Sequence, residues 1–99
     1  GAVYIDTGCS LTLIDVEFEN NRAEAEGGAI SNFGLLEMKD CRFDGNRAKD
    51  NGGSIYNHTD CVLNIEHTTF TNNRSERNGG CIVNFGKCTL DNPYFRNNE

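Results

Sequence analysis

Phe18-Glu19-Asn20-Asn21, with Gly27-Gly28-Ala29-Ile30 a few residues further on, is the stretch that decides the fold, because the chain repeats it. The first motif returns as Phe43-Asp44-Gly45-Asn46, Phe70-Thr71-Asn72-Asn73 and Phe95-Arg96-Asn97-Asn98. The second returns as Gly52-Gly53-Ser54-Ile55 and Gly79-Gly80-Cys81-Ile82, and the chain opens on its tail, Gly1-Ala2-Val3. Self-similarity at roughly 20 to 50 residues marks a solenoid or related array, in which each repeat buries its apolar face on its neighbours.

Successive Phe residues lie 25, 27 and 25 residues apart. The variation sits at one point: Ile5 to Leu11 and Asn57 to Leu63 enclose five residues, whereas Asn32 to Leu36 and Asn84 to Cys88 enclose three. An insertion confined to one point is what a loop on one face of a solenoid shows. Aligned on Phe, the columns Leu11/Leu36/Leu63/Cys88 and Leu13/Met38/Ile65/Leu90 alternate with polar residues, the pattern of a half-buried strand. A second strand ends in the column Phe18, Phe43, Phe70, Phe95, and a third carries Val3, Ile30, Ile55 and Ile82. No sustained helical period occurs. The pattern predicts an all-β, right-handed parallel β-helix of about four coils of 25–27 residues, with three short strands per coil. The expected repeats are approximately 1–26, 27–51, 52–78 and 79–99, one segment of a longer solenoid.

Asn is the commonest residue, and it falls in columns: Asn21, Asn46, Asn73, Asn98 and Asn32, Asn57, Asn84. Asn tolerates left-handed backbone and suits turns, and stacked amides about 4.8 Å apart can bond along the column. Gly28, Gly53 and Gly80 form a further structural column, and the glycine pairs they belong to are expected at a sharp corner where a Cβ would clash. Of five cysteines, Cys61 and Cys88 make the best disulfide candidate, since Cys61 just precedes Leu63 and Cys88 occupies Leu63's column one coil on. Cys41 and Cys81 read as small packed residues, and Cys9, two coils from Cys61, is too far for a bridge.

Leu, Ile, Val and Phe number 22 of 99, close to the level at which disorder is favoured, and the strict columns decide for order. A net charge of −6 argues against nucleic acid, which attracts a basic stripe. No apolar stretch approaches the ~20 residues of a transmembrane helix.

Paired GGA[I/L/V] and FxxN motifs resemble the repeats of the chlamydial polymorphic outer-membrane proteins and their relatives in other microbes. The FxxN motif matches four times and the glycine motif three, with Ser54 and Cys81 standing where Ala is usual. The resemblance implies the exposed passenger of a surface-displayed protein, with adhesion as the usual role. The expected function is therefore a non-enzymatic adhesin or passenger stalk, extracellular or displayed at the outer membrane. The expected partners are flanking coils of the same or another chain and a host-cell protein or glycan, and no cofactor is expected. The alternatives are an extracellular fibre or coat built from stacked coils, and a carbohydrate-active β-helix enzyme.

Catalysis on polysaccharides needs paired carboxylates facing solvent, and the nearest approach is the outward column Ile14, Lys39, Glu66, Asp91. A solvated sheet face on which charges happen to stack is the plainer reading of that column. Asp15, Asp40, His67 and Asn92 suggest a metal site, and a polar turn is the plainer reading, so neither catalytic residues nor metal ligands are assigned. Arg22, Arg47 and Arg74 form a ladder able to grip an acidic glycan, and pairing with the nearby Glu19, Glu24 and Asp44 is the plainer reading. Tyr4 and Tyr56 are expected to point outward, with Phe33 and Phe85 at the next corner. The sequons at Asn57 and Asn73 fall on structural columns and are read as coincidental.

Overall fold

The computed structural model describes residues 1–99 as a stack of four coils. The first holds β1 (Val3–Ile5), β2 (Ser10–Ile14), β3 (Glu17–Glu19) and β4 (Arg22–Ala23). The second holds β5 (Ile30–Asn32), β6 (Leu35–Lys39), β7 (Arg42–Asp44) and β8 (Arg47–Ala48). The third holds β9 (Ile55–Asn57), β10 (Val62–Glu66), β11 (Thr69–Thr71) and β12 (Arg74–Ser75). The fourth holds β13 (Ile82–Asn84), β14 (Lys87–Asp91) and β15 (Tyr94–Arg96). Every strand pairs in parallel with its counterpart one coil away, giving sheets β1-β5-β9-β13, β2-β6-β10-β14, β3-β7-β11-β15 and β4-β8-β12. This is the all-β solenoid the columns predict, with a fourth short strand in each of the first three coils beyond the three expected. A two-residue strand is too short to show alternation, so only the stacked Arg and Ala reveal it.

The register follows the columns: Leu11 pairs with Leu36, Leu36 with Leu63, and Leu63 with Cys88. The core is built from these inward residues. Phe18, Phe43, Phe70 and Phe95 stack with ring centroids 4.7, 4.9 and 5.0 Å apart, which is the spacing of paired strands. Phe43 and Phe70 are fully buried, each contributing about 2–3 kcal/mol of transfer free energy. Ile30, Ile55, Leu36 and Leu63 are also completely covered.

Two amide ladders satisfy the polar corners. Asn46 and Asn73 are fully buried, and Asn46 Nδ2 donates to Asn73 Oδ1 at 3.0 Å, as Asn73 Nδ2 does to Asn98 at 2.9 Å. Asn32 donates to Asn57, and Asn57 to Asn84, both at 2.7 Å. The left-handed residue is not the ladder Asn but the one before it: Asn20, Gly45, Asn72 and Asn97 have φ of 55°, 69°, 56° and 54°. That preceding residue turns the chain, which leaves the ladder amide free to point inward.

The glycine pair divides its work. Gly27, Gly52 and Gly79 have φ of 64°, 70° and 63°, in the left-handed region. Gly28, Gly53 and Gly80 have no room for a Cβ: at Gly53 one would run into the carbonyl oxygen of Gly80 and lie 2.6 Å from the Arg74 nitrogen. The two long loops are turns closed by the Cys9 N–H donating to the Asp6 carbonyl (3.0 Å) and the Cys61 N–H donating to that of His58 (3.2 Å).

All five cysteines are free thiols, so the expected Cys61–Cys88 bridge is not formed. The Cys61 thiol turns to the Thr59 carbonyl, whereas Cys88 follows Leu63 inward against the core. Cys41 and Cys81 are buried, and burial raises both thiol pKa values.

Candidate functional site

With the interior given to packing, function falls to the outward rows, and three of them carry chemistry. On the second sheet, Ile14, Lys39, Glu66 and Asp91 share one row, in register with one another. Together with the parallel row Thr12, Glu37, Asn64 and Thr89 they flank an open groove of about 330 Å³. Glu66, His67 and Asp91 bring their ligand atoms within 4.8 Å of one another, and His67 Nε2 lies 3.8 Å from Glu66 Oε1. The Glu66 and His67 side chains are each almost half exposed. The row Asp15, Asp40, His67 and Asn92 has a backbone explanation: φ is 55°, 53°, 47° and 54°, and Asp, Asn and His are the non-glycine residues that adopt this conformation most readily. Asn92 Nδ2 meets His67 Nδ1 at 3.3 Å.

The Arg row sits on the fourth sheet, where Arg22 pairs in register with Arg47 and Arg47 with Arg74. Stacked guanidinium groups repel, and acidic neighbours relieve this unevenly. Arg22 reaches Glu24 at 3.6 Å, and Arg47 reaches Glu76 at 2.7 Å. The hydrogen bond from Arg47 holds the Glu76 carboxyl below its usual pKa. Arg74 is exposed and has no ion-pair partner within 4.0 Å, so it is the member available to a ligand. Of the acidic partners expected for this row, only Glu24 serves. Asp44 is taken by Arg42 at 3.4 Å and accepts from Thr71 Oγ1 at 2.8 Å and Asn72 Nδ2 at 3.0 Å. Those bonds, the Thr71 hydroxyl first, depress the Asp44 pKa.

The aromatic residues form a continuous stripe. Tyr4 stacks on Phe33 (5.1 Å), Phe33 on His58 (4.2 Å), and Tyr56 lies between His58 (5.4 Å) and Phe85 (5.7 Å). Tyr4 is 65 % exposed and Phe85 58 %, but Tyr56, expected at the surface, is only 7 % exposed. Burial, with Glu26 nearby, raises the Tyr56 pKa. The Tyr4, Phe33 and His58 rings face one another along the solenoid axis and so occupy the faces a sugar would need. His58 completes this stripe unseen by sequence, because its column holds Asp6 in the first coil and Phe in the second and fourth.

Both sequon residues, Asn57 and Asn73, are fully buried and hydrogen-bonded within their ladders. The structure contains no helix long and apolar enough to cross a membrane.

The family model of the Chlamydia polymorphic membrane protein repeat matches residues 15–32 and 40–58. Each match begins at a left-handed turn residue, Asp15 or Asp40, and runs through the Phe, the ladder Asn and the glycine pair. No curated protein and no solved structure matches the chain.

Proposed function

Because the chain carries the Chlamydia polymorphic membrane protein repeat, we propose that it is a non-enzymatic, surface-displayed stalk that binds a host-cell protein or glycan through its outward rows. The observation that supports this most is the contrast between inside and outside. Phe, Asn and Ile recur inward in coil after coil, whereas the two outward rows of the second sheet change from coil to coil, Thr12/Glu37/Asn64/Thr89 and Ile14/Lys39/Glu66/Asp91. Such a molecule holds its spacing rigidly while leaving its surface free to vary. Arg74, with Arg22 and Arg47 beside it, supplies the row best suited to an acidic glycan, since guanidinium groups bond anionic oxygens in pairs.

The test is binding of the purified chain to immobilised sulfated glycan and to cultured cells. Saturable binding is expected, weakened about fivefold or more by Arg74→Glu with an unchanged far-ultraviolet circular dichroism spectrum. Binding that fails to saturate, or that ignores Arg74→Glu and every other outward substitution, would overturn the proposal.

A further inference from the structure

The fourth sheet and the corner beyond it carry a cluster of cations that the acidic total conceals. Residues 47–50 and 74–77 hold four cationic and two acidic side chains, a net +2, while the rest of the chain carries −8. Strands β8 and β12 set Arg47 and Ala48 in register with Arg74 and Ser75. The pairing runs on past the strands, since the Glu76 N–H donates to the Ala48 carbonyl (3.2 Å) and the Arg77 N–H to that of Asp50 (3.0 Å). Lys49 therefore lies one coil from Glu76, as Arg47 does from Arg74. Arg77 is offset by Asp50 at 3.6 Å, which leaves Arg47, Lys49 and Arg74 around a single carboxylate, that of Glu76.

We propose that Arg47, Lys49 and Arg74 form a site for one sulfate group of an acidic glycan, in which the Glu76 carboxylate is a resident stand-in that the ligand displaces. This rests on the reading of the Arg row as the glycan-binding face, and it adds Lys49 as a contact and Glu76 as a built-in competitor.

Glu76 is held as an anionic ligand would be. Arg47 Nη2 donates to Glu76 Oε1 at 2.7 Å, the shortest ion pair in the molecule. The hydrogen bond from Arg47, and after it the charges of Arg47, Lys49 and Arg74, hold the carboxyl below its usual pKa. The column Glu24, Lys49, Glu76 explains why the contact crosses coils. In the first coil Arg22 meets Glu24 of its own coil at 3.6 Å. The second coil has Lys49 at that position, so Arg47 reaches to Glu76 of the third. Lys49 has no ion-pair partner within 4.0 Å, although a coil lies on either side of it.

One carboxylate offsets three cations incompletely, and the like charges of Arg47 and Arg74 lie directly opposite each other. A sulfate ester presents three terminal oxygens where a carboxylate presents two, so it can accept from both guanidinium groups and the ammonium at once. The resident contact is easily given up. The Arg47 and Glu76 side chains are 45 % and 40 % exposed, and an ion pair in that setting is weak, so the carboxylate can turn out to water as the ligand arrives.

The test is binding of the 99-residue chain to immobilised dextran sulfate in about 0.15 M salt, with carboxymethyl dextran of matched charge density as the carboxylate control. Glu76→Gln keeps the side chain's shape and removes the competing charge. It should tighten binding to dextran sulfate about threefold to fivefold, the factor an exposed ion pair carries. Glu37→Gln makes the same change of net charge on the second sheet and should alter binding by less than about 1.5-fold. Adding Lys49→Gln to Glu76→Gln should return affinity to within about twofold of the parent. The parent should bind carboxymethyl dextran at least about threefold more weakly than dextran sulfate. Glu37, Lys49 and Glu76 are all exposed, and circular dichroism checks that each variant is folded. Saturable binding that Glu76→Gln tightens no more than Glu37→Gln does, or a preference for carboxymethyl dextran, would overturn this site and leave the glycan reading standing. No saturable binding by any variant would overturn both.

Discussion

Replacing Asn46 by Ala tests whether the amide ladder, rather than the apolar columns alone, holds the coils in register. The Asn46 side chain makes four bonds. It donates to the Phe18 carbonyl and to Asn73 Oδ1, both at 3.0 Å, and accepts from the Asn21 backbone N–H at 3.0 Å and from Asn21 Nδ2 at 3.1 Å. Not all four losses weigh equally. Asn73 Oδ1 keeps the Asn46 backbone N–H, also at 3.0 Å, and Asn21 is only half-buried, so water can reach its amide. What remains is one backbone N–H and one carbonyl lone pair stranded, at about 1–1.5 kcal/mol each, plus an amide-sized cavity. The sum is about 3 kcal/mol, or a fall in Tm of roughly 12–24 °C for a domain of this size. Asn98→Ala removes the same kinds of bond at the last coil, where solvent replaces them, and should cost about half as much. Urea unfolding followed by circular dichroism, with m unchanged, measures both. If Asn46→Ala cost under 1 kcal/mol, or Asn98→Ala cost as much as Asn46→Ala, the ladder would not be the register device argued for here.

Two further outcomes follow from the backbone and from Asp44. Gly53→Ala should abolish cooperative folding, because the added methyl meets the Gly80 carbonyl and the Arg74 backbone, neither of which can move. Gly8→Ala, at φ +80° with open space around it, should cost only the strain of about 1–2 kcal/mol. Thermal melts separate the two, and a cooperative melt for Gly53→Ala would contradict the corner geometry. For Asp44 the folded pKa is depressed, so its contribution to stability is present above the ordinary carboxylate pKa and is lost as pH falls through the folded value. Thr71→Val removes the largest cause, and the Asp44 carboxyl should then titrate nearer the ordinary value with a shallower acid-side loss of stability. Carboxyl carbon titration by NMR checks this, and an unmoved Asp44 would show that Arg42 and Asn72 suffice.

The sequence revealed what recurs. Phe18, Phe43, Phe70 and Phe95 each face the same interior, so one physical constraint writes the same residue four times, and the sheet register follows from aligning them. What it hid is of two kinds. Elements without internal periodicity go unseen, as with the two-residue strands that carry Arg22, Arg47 and Arg74. Residues of one type in one column also need not share a cause. Asp15, Asp40, His67 and Asn92 look like assembled ligands, yet their common property is a left-handed backbone.

The outward rows were least legible for a geometric reason. On a solenoid, side-chain neighbours lie in the same coil or a whole coil away, so Arg47 finds Glu76, 29 residues on, while Asp44, three residues back, is held by Arg42 instead. The same geometry ties the loop insertion to a distant glycine. Where the first and third coils carry the two extra residues, the Cys9 and Cys61 carbonyls come down onto the next coil, where a Cβ at Gly34 or Gly86 would collide with them. Insertion and glycine are thus one structural feature written 25 residues apart, which makes the pair of coils, long then short, the true building block. A ligand that spans two coils would therefore meet a surface unit of 52 residues, and only a substitution pattern with that period would conserve its site along a longer stack.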